Sequence, residues 1–181
     1  MKEVVKDIGT ALLIVLITLQ FLWTTQVDGE SMEPNFFDKD LLILDRTAYY
    51  NEEPEIGDVV VFRSDLTDEQ GRRELLIKRV AAAGGDRIRI EDGAVYVNGE
   101  LQDDSFTLDG LTEGEADVTV PEGCVFVLGD NRAVSMDSRY ANVGVVENAR
   151  LQGRVVFRLF PFGSAGRIRT PEGLKTGSAE G

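Results

Sequence analysis

An uninterrupted apolar segment near the N-terminus constrains the fold of this 181-residue chain more than any other feature. Residues 8–23 (IGTALLIVLITLQFLW) carry no charge, and extension to Val27 gives about 20 residues, enough for a helix that spans a bilayer core. Trp23 fits the aromatic belt of a membrane interface. A buried core helix would show polar residues at helical spacing, and a cleaved signal would end in a small-x-small site. The sequence instead predicts an uncleaved transmembrane anchor with a short cytoplasmic stub over residues 1–26.

The charges that flank this span predict its orientation. Lys2 and Lys6 precede it, whereas Asp28, Glu30 and Glu33 follow it. Because cytoplasmic flanks carry the excess of Lys and Arg, we expect a single-pass protein of the cell membrane with a cytoplasmic N-terminus. The lipid bilayer is then a partner, and the remainder of the chain lies outside the cytoplasm.

Beyond the span, short β-rich runs alternate with turns. Asp92-Gly93, between the runs 88–90 and 94–97, is a strong signal for a two-residue hairpin. Helical periodicity is nearly absent outside the anchor, so the sequence predicts a mainly antiparallel β-domain over residues 27–169. The other runs predicted as strands are 40–44, 58–62, 75–80, 118–120, 125–128 and 151–160.

Two parts of the soluble region differ in composition from the predicted strands. An acidic, turn-rich insertion occupies about residues 91–121, and no Lys or Arg lies between Glu91 and Glu122. The tail 170–181 is small and polar, which predicts disorder.

Composition excludes several classes of function. The net charge of −13 argues against nucleic acid as a partner, because phosphate binding needs clustered Lys and Arg. The chain contains no histidine, which removes Ser-His-Asp and Cys-His catalysis and every His-ligated metal site. Cys124 is the only cysteine, and its apolar neighbours indicate a small core residue. We expect no metal and no cofactor.

A serine can still be activated by a lysine whose amine is neutral. Lowering a lysine pKa from about 10.4 to about 7–8 needs roughly 3–4 kcal/mol of bias against the cation, which apolar burial can supply. Lys78 lies in the apolar run LLIKRVAAA, on the same strand face as Leu76 and Val80. Taken alone, the pattern is also typical of an edge-strand lysine whose amine reaches solvent.

Two further segments carry candidate residues without being decisive alone. Ser31 lies in VDGESMEP, between a glycine turn and a proline. This context is also typical of an ordinary turn serine. Residues 129–139 (GDNRAVSMDSR) begin with a turn signal. Their alternating charges also fit surface ion pairs, which are worth about 0–1 kcal/mol each.

The order of these segments closely resembles that of the type I (leader) signal peptidases. An apolar anchor is followed by S-M-x-P from Ser31, G-D-V-V-V-F from Gly57, K-R-V-x-A-x-x-G-D from Lys78 and G-D-N-R-x-x-S-x-D-S-R from Gly129. The resemblance covers about residues 8–163, and its last motif is long enough to be highly specific.

The resemblance implies a fold of coiled antiparallel sheets, with the acidic insertion as a small secondary lobe. It implies a membrane-bound serine endopeptidase that acts on secreted preproteins and removes a signal peptide that ends in small-x-small. Shallow pockets suit this substrate, because small side chains are selected by excluding large ones. By the same resemblance, the pockets are lined by Val27, Met32, Phe36 and Ile77.

The resemblance also implies a role for each residue of the site. Ser31 would be the nucleophile, Lys78 the general base, and Ser135 the residue that hydrogen-bonds and orients the lysine amine. Gly29 stands where some members carry a serine, so the backbones of Gly29 and Ser31 would supply the oxyanion donors, as in Gram-positive-like members. A structural salt-bridge set would comprise Asp130, Arg132, Asp137 and Arg139.

Two other classes of function remain open on the sequence. A repressor-type self-cleaving Ser-Lys protein would need a DNA-binding domain, and the N-terminal span and the net charge of −13 disfavour it. A membrane-tethered β-domain that binds a protein partner without catalysis would keep its phenotype after Ser31→Ala.

Overall fold

The computed structural model describes residues 3, 4, 6–11, 22–67, 70–171, 173 and 174. Most of the predicted anchor, residues 12–21, therefore lies outside the described residues. Within the described ranges, no helix is long and apolar enough to cross a membrane.

Short β-strands account for most of the regular structure, and they form two antiparallel sheets. The larger sheet has the order β1-β2-β11-β3-β4-β9-β10, with β12 paired to β11, and the smaller has the order β7-β6-β5-β8. The predicted mainly antiparallel β architecture is confirmed. In chain order the strands are β1 (Leu22–Gln26), β2 (Leu41–Asp45), β3 (Val59–Thr67), β4 (Arg73–Ala83), β5 (Arg87–Glu91), β6 (Ala94–Val97), β7 (Glu100–Leu101), β8 (Ala116–Thr119), β9 (Cys124–Leu128), β10 (Val146–Glu147), β11 (Leu151–Phe160) and β12 (Gly166–Arg167).

Strand β3 has an apolar half that is buried on both faces of the larger sheet. Because successive side chains of a strand point to opposite faces, Val59 and Val61 join one hydrophobic cluster, whereas Val60 and Phe62 join another. This arrangement explains why the run VVVF is continuously apolar instead of alternating. The neighbouring strand β4, which carries Lys78, is thereby held between packed layers.

The smaller sheet packs only one face against the rest of the molecule. In β5, Ile88 and Ile90 are buried while Arg87, Arg89 and Glu91 are exposed. The buried side chains of β5 and β6 pack with residues of β4 and β9 in a third cluster. The alternation seen in the sequence therefore marks the face that attaches this lobe to the larger sheet.

The turn between β5 and β6 has the geometry that its sequence predicts. Glu91 pairs with Ala94, and the two residues between them, Asp92 and Gly93, have φ values of 52° and 79°. Positive φ at both central positions is the mark of a type I′ turn, whose twist matches that of the flanking strands. The hairpin prediction is confirmed.

The N-terminal boundary of the β-domain differs from the prediction. Residues 22–26, which the hydropathy pattern assigned to the end of the anchor, form β1 and pair with β2, so that Trp23 lies opposite Leu44. Thr24 and Thr25 are β-branched, which suits an edge strand. The sheet therefore begins five residues before the predicted boundary at residue 27.

The first residues of the predicted tail contact the β-domain. Leu174 packs against the cluster that contains Ile56. Thr170 occupies the space that a Cβ on Gly57 would fill, so this glycine allows the tail to approach the sheet. An apolar contact at Leu174 offsets the polar composition of the segment around it.

Phe62→Ala tests whether β3 joins the two faces of the core. Phe62 is 1% exposed, and truncation of a buried Phe costs about 3–5 kcal/mol, because a cavity remains. We expect the free energy of unfolding to fall by that amount in urea denaturation. The matched control is Phe162→Ala at a side chain that is 79% exposed, which should cost less than about 1 kcal/mol. Equal losses in the two variants would contradict the assignment.

Candidate active site

The side chains of Ser31 and Lys78 meet at the surface of the larger sheet. Ser31 lies in the connection between β1 and β2, and Lys78 lies in β4. The Nζ atom of Lys78 is 2.8 Å from the Oγ atom of Ser31 and donates a second hydrogen bond, of 2.9 Å, to the carbonyl oxygen of Ile77. The sequence-predicted nucleophile and base are therefore in direct contact.

The environment of Lys78 disfavours the charged amine. The residue is 2% exposed, and burial lowers its pKa from 10.5 to about 8, against the opposing effect of the carboxylates of Asp137 and Asp130. Burial is the larger effect, and each of these carboxylates has its own arginine partner. About a tenth of the amine is thus neutral at pH 7, and about half at pH 8, where it can accept a proton.

The loop that carries Ser31 is anchored by its neighbours in the chain. Met32 and Phe36 are 0% and 2% exposed and belong to the same hydrophobic cluster as Val27. The carbonyl oxygen of Ser31 accepts a 3.1 Å hydrogen bond from the backbone N–H of Asn131. Ser31 is therefore tied both to the core and to the segment 129–139.

Gly129 allows that segment to approach the dyad closely. A Cβ atom on Gly129 would lie 2.5 Å from the carbonyl oxygen of Ser31 and would overlap the Oγ atom of Ser135. Both residues therefore pack directly against the Gly129 backbone. A glycine is required here by the lack of space, not by its φ angle.

Ser135 lies at the site, but without the predicted contact. Its side chain is 2% exposed, and its Oγ atom has no hydrogen-bond partner among the described residues. The predicted hydrogen bond between Ser135 and the amine of Lys78 is therefore not formed among the described residues. A buried hydroxyl without a partner is unfavourable, which leaves this group available for a proton donor.

Only two members of the predicted salt-bridge set, Asp137 and Arg139, pair with each other. Asp137 pairs with Arg139 at 2.8 Å and accepts a 3.0 Å hydrogen bond from the backbone of Gly129. Asp130 and Arg132, by contrast, do not pair with other members of the set. Their partners come from distant elements, so the prediction that the four charges form one set needs correction.

Asp130 pairs with Arg79, and Arg132 pairs with Asp104. The first ion pair has a shortest distance of 2.6 Å and the second 2.9 Å, and all four side chains are at least nine-tenths buried. The sequence analysis missed both partners. Arg79 was detectable because it follows Lys78 in a run predicted to be buried, where a charge needs a partner. Nothing in the sequence distinguishes Asp104 from the other acidic residues of the insertion.

The structure does not present the predicted oxyanion donors as an equivalent pair. The backbone N–H of Gly29 donates a 2.9 Å hydrogen bond to the carboxylate of Asp38, and this bond lowers the pKa of Asp38. The N–H of Ser31 has no acceptor among the described residues. Only the Ser31 donor is therefore free to bind an oxyanion in this conformation, and Gly29 is already engaged.

A groove of about 250 Å³ runs past the dyad. Of the four predicted pocket residues, only Ile77 lines it. Val27, Met32 and Phe36 are each at most 2% exposed, so they support the nucleophile loop from the core and offer almost no surface to a substrate. The residues that line the groove are Thr25, Gln26, Asp28, Ser31, Val61, Leu75, Leu76, Ile77 and Lys78.

Comparisons with known proteins give one family match and several similar proteins. The family model described as signal peptidase, peptidase S26, matches residues 1–160. A signal peptidase I of Bacillus licheniformis is 33% identical over 88% of this chain and 89% of its own length. Signal peptidase IB of Staphylococcus aureus is 30% identical over 96% of this chain and 98% of its own length. A solved signal peptidase I from Enterococcus faecalis is 27% identical and covers 57% of this chain and 97% of its own, with a TM-score of 0.46.

The chain belongs to the signal peptidase family, peptidase S26. Its activity is that of a serine endopeptidase that removes signal peptides, a hydrolase of peptide bonds.

Gly129→Ala tests the close packing behind the dyad. The added methyl group would displace both the Ser31 carbonyl and the Ser135 side chain. A misplacement of about 1 Å at a catalytic group can cost about 10²-fold in rate, so we expect kcat to fall by at least that factor. Gly163→Ala is the control, because a Cβ there meets nothing within 4 Å. A Gly129→Ala variant with normal kcat on a preprotein would refute the requirement.

Proposed function

We propose that Ser31 is the nucleophile and Lys78 the general base of signal-peptide cleavage. The observation that supports this proposal most strongly is the 2.8 Å contact between a serine hydroxyl and a buried amine whose pKa is lowered to about 8. No other candidate base is needed, because a neutral lysine is sufficient to activate a serine.

The proposed reaction has two stages, both served by the same amine. Neutral Lys78 takes the hydroxyl proton as the Ser31 oxygen attacks the scissile carbonyl carbon, and the resulting ammonium returns that proton to the leaving amine. The signal peptide is then held as an ester on Ser31. Water attacks the ester with Lys78 as base again, and the carboxyl end of the signal peptide leaves as Ser31 regains its proton.

Ser135 is proposed to orient the base. A neutral amine has two N–H bonds and one lone pair. One N–H of Lys78 faces the Ile77 carbonyl oxygen, and the lone pair must face the Ser31 hydroxyl. The second N–H then needs an acceptor, and the buried Oγ atom of Ser135 is without a partner among the described residues.

The tetrahedral oxyanion is proposed to bind to the backbone N–H of Ser31. Gly29 can join as a second donor only when its N–H leaves the Asp38 carboxylate, to which it is bound at 2.9 Å. An oxyanion-hole donor is worth about 10²–10³ in rate, so the state of this one hydrogen bond has consequences for turnover.

The proposed substrates are secreted preproteins whose signal peptide ends in small-x-small, and they are cut where that signal peptide emerges from the bilayer. The groove of about 250 Å³ beside the dyad offers a place for the substrate segment around the scissile bond. The uncharged, largely apolar residues 8–21, which precede β1, and the flanking Lys2 and Lys6 support a membrane anchor with a cytoplasmic N-terminus. Ser31 would then lie just outside the membrane, where a signal peptide presents its cleavage site.

Removal of either member of the dyad tests the catalytic assignment. Ser31→Ala and Lys78→Ala should each abolish cleavage of a preprotein, measured by gel and by sequencing the new N-terminus, while the domain stays folded. Because the two residues act as one unit, the double variant should be little worse than either single variant. Ser164→Ala, which changes an exposed serine, is the control. Near-normal turnover by Lys78→Ala would end the assignment.

The pH dependence of kcat/KM tests the protonation state of the base. Burial lowers the pKa of Lys78 to about 8, and only the neutral amine can accept the Ser31 proton. Activity should therefore be low below the pKa, rise through pH 8 and level off above it. Lys78→Arg should be inactive throughout, because a guanidinium keeps its proton in this range. A profile that is flat from about pH 6 to 10 would contradict a titrating lysine.

A further inference from the structure

The loop between β7 and β8 reaches from the small sheet to the catalytic side of the larger sheet. On this loop, the carbonyl oxygen of Phe106 accepts a 2.9 Å hydrogen bond from the side-chain amide of Asn35. The same amide donates a 3.0 Å hydrogen bond to Asp130. Asn35 lies four residues after Ser31, so the loop is connected directly to the segment that carries the nucleophile.

The same loop also binds the segment that carries Ser135. Both carboxylate oxygens of Asp104 accept hydrogen bonds from the guanidinium of Arg132, each at 2.9 Å. The hydroxyl of Thr112 contacts the same guanidinium. On its other side, Arg132 donates a 3.0 Å hydrogen bond from Nε to the carbonyl oxygen of Gly129. A short path therefore runs from Asp104 through Arg132 to the glycine behind the dyad.

An aromatic ring fills the space between these two attachments. The ring of Phe106 lies 5.0 Å from the guanidinium of Arg79 and 6.0 Å from that of Arg132. The backbone N–H of Leu108 donates a 3.3 Å hydrogen bond to the carbonyl oxygen of Asp130. Each of these contacts joins the loop to residues that surround Ser31 and Lys78 and do not line the substrate groove.

The burial of the contacts distinguishes them from ordinary surface pairs. The side chains of Asp104 and Arg132 are 9% and 5% exposed, whereas Asp109 on the same loop is exposed. A bidentate carboxylate–guanidinium pair has a fixed geometry. Removing one partner leaves the other charge buried and uncompensated, so the Arg132 side chain could not keep its position without Asp104.

We propose that residues 103–113 form a positioning clasp for the catalytic dyad, in which Asp104 acts through Arg132 on Gly129. The proposal rests on the proposed function of Ser31 and Lys78. Gly129 packs against both Ser31 and Ser135, so a movement of its carbonyl group changes the packing of both residues. The clasp controls the geometry of the reacting groups and leaves the groove unchanged.

The test is Asp104→Asn, which keeps the shape of the side chain and removes its charge. We expect kcat per folded molecule to fall at least tenfold on a preprotein, while KM changes less than twofold, because Asp104 does not line the groove. The folded fraction is measured by near-UV circular dichroism. Asp109→Asn removes the same charge from the exposed part of the loop and should behave as wild type.

A purely structural role predicts a different result. In that case kcat would fall only in proportion to the folded fraction, and kcat per folded molecule would stay at the wild-type value, which would overturn the clasp. Because Asp104 acts through Arg132, the double variant Asp104→Asn, Arg132→Gln should have the same kcat as Arg132→Gln alone. Independent, multiplying losses would also overturn it.

A second variant tests the other attachment and remains informative if Asp104→Asn does not fold. Asn35→Ala removes both hydrogen bonds to Phe106 and Asp130 without leaving a buried charge. It should lower kcat per folded molecule with little change in KM, and an unchanged kcat would overturn the clasp. Ser31→Ala separates the two proposals: an active Ser31→Ala refutes the dyad, whereas an inactive Ser31→Ala beside normal Asp104→Asn and Asn35→Ala refutes the clasp alone.

Discussion

Burial of the Lys78 amine is the interaction on which the rest of the site depends. A solvated lysine is a cation at neutral pH, and here burial lowers its pKa to about 8. The same burial destabilises the folded chain, since the folded state binds the amine proton less tightly than the unfolded state does. The lowered pKa corresponds to a loss of roughly 3 kcal/mol in the free energy of unfolding near neutral pH. This loss disappears as the pH rises from about 8 towards 10.5. The packed faces of β3 and β4 compensate for it.

The charges around this amine are arranged so that they do not reverse the effect of burial. Asp130 and Asp137 both favour the lysine cation, and unpaired they would raise its pKa. Arg79 and Arg139 lie within 2.8 Å of their respective carboxylates and offset much of their negative charge. A lysine next to carboxylates stays neutral more easily when each carboxylate has its own cation. The two ion pairs therefore help the base without contacting it.

The sequence predicted the strands from local signals, whereas the pairing of Ser31 with Lys78 was predicted from the order of several motifs. In β5 and β6, alternating apolar residues and Asp92-Gly93 determine the hairpin and its buried face. Lys78 was recognisable as an amine in an apolar strand. By contrast, β1 adjoins an apolar segment, and hydropathy alone does not separate the end of a predicted span from an edge strand such as residues 22–26. The tail residue Leu174 was likewise too isolated in its sequence to predict a contact.

The partners of the site could not be predicted because they depend on tertiary packing. Asp130 and Arg79 are 51 residues apart, and Arg132 and Asp104 are 28 apart. Any of several acidic residues in the insertion could have been the partner of Arg132 as far as the sequence shows. The pocket prediction failed for Met32 for a related reason, because an apolar residue beside a nucleophile can face either the substrate or the core.

The acidic lobe and the sheet that carries it consequently have two kinds of charged residue, exposed and buried, which the sequence does not distinguish. The outer face of the smaller sheet carries exposed charges such as Arg87 and Asp117, whose ion pair is largely solvated and contributes little to stability. The inner loop of the lobe carries Asp104, whose charge is buried and therefore must be matched. A high density of acidic residues keeps the lobe soluble, but only the carboxylate that meets a buried guanidinium has a fixed position. The distance of a charge from water, more than the number of charges, thus determines which residues of this lobe affect the catalytic centre.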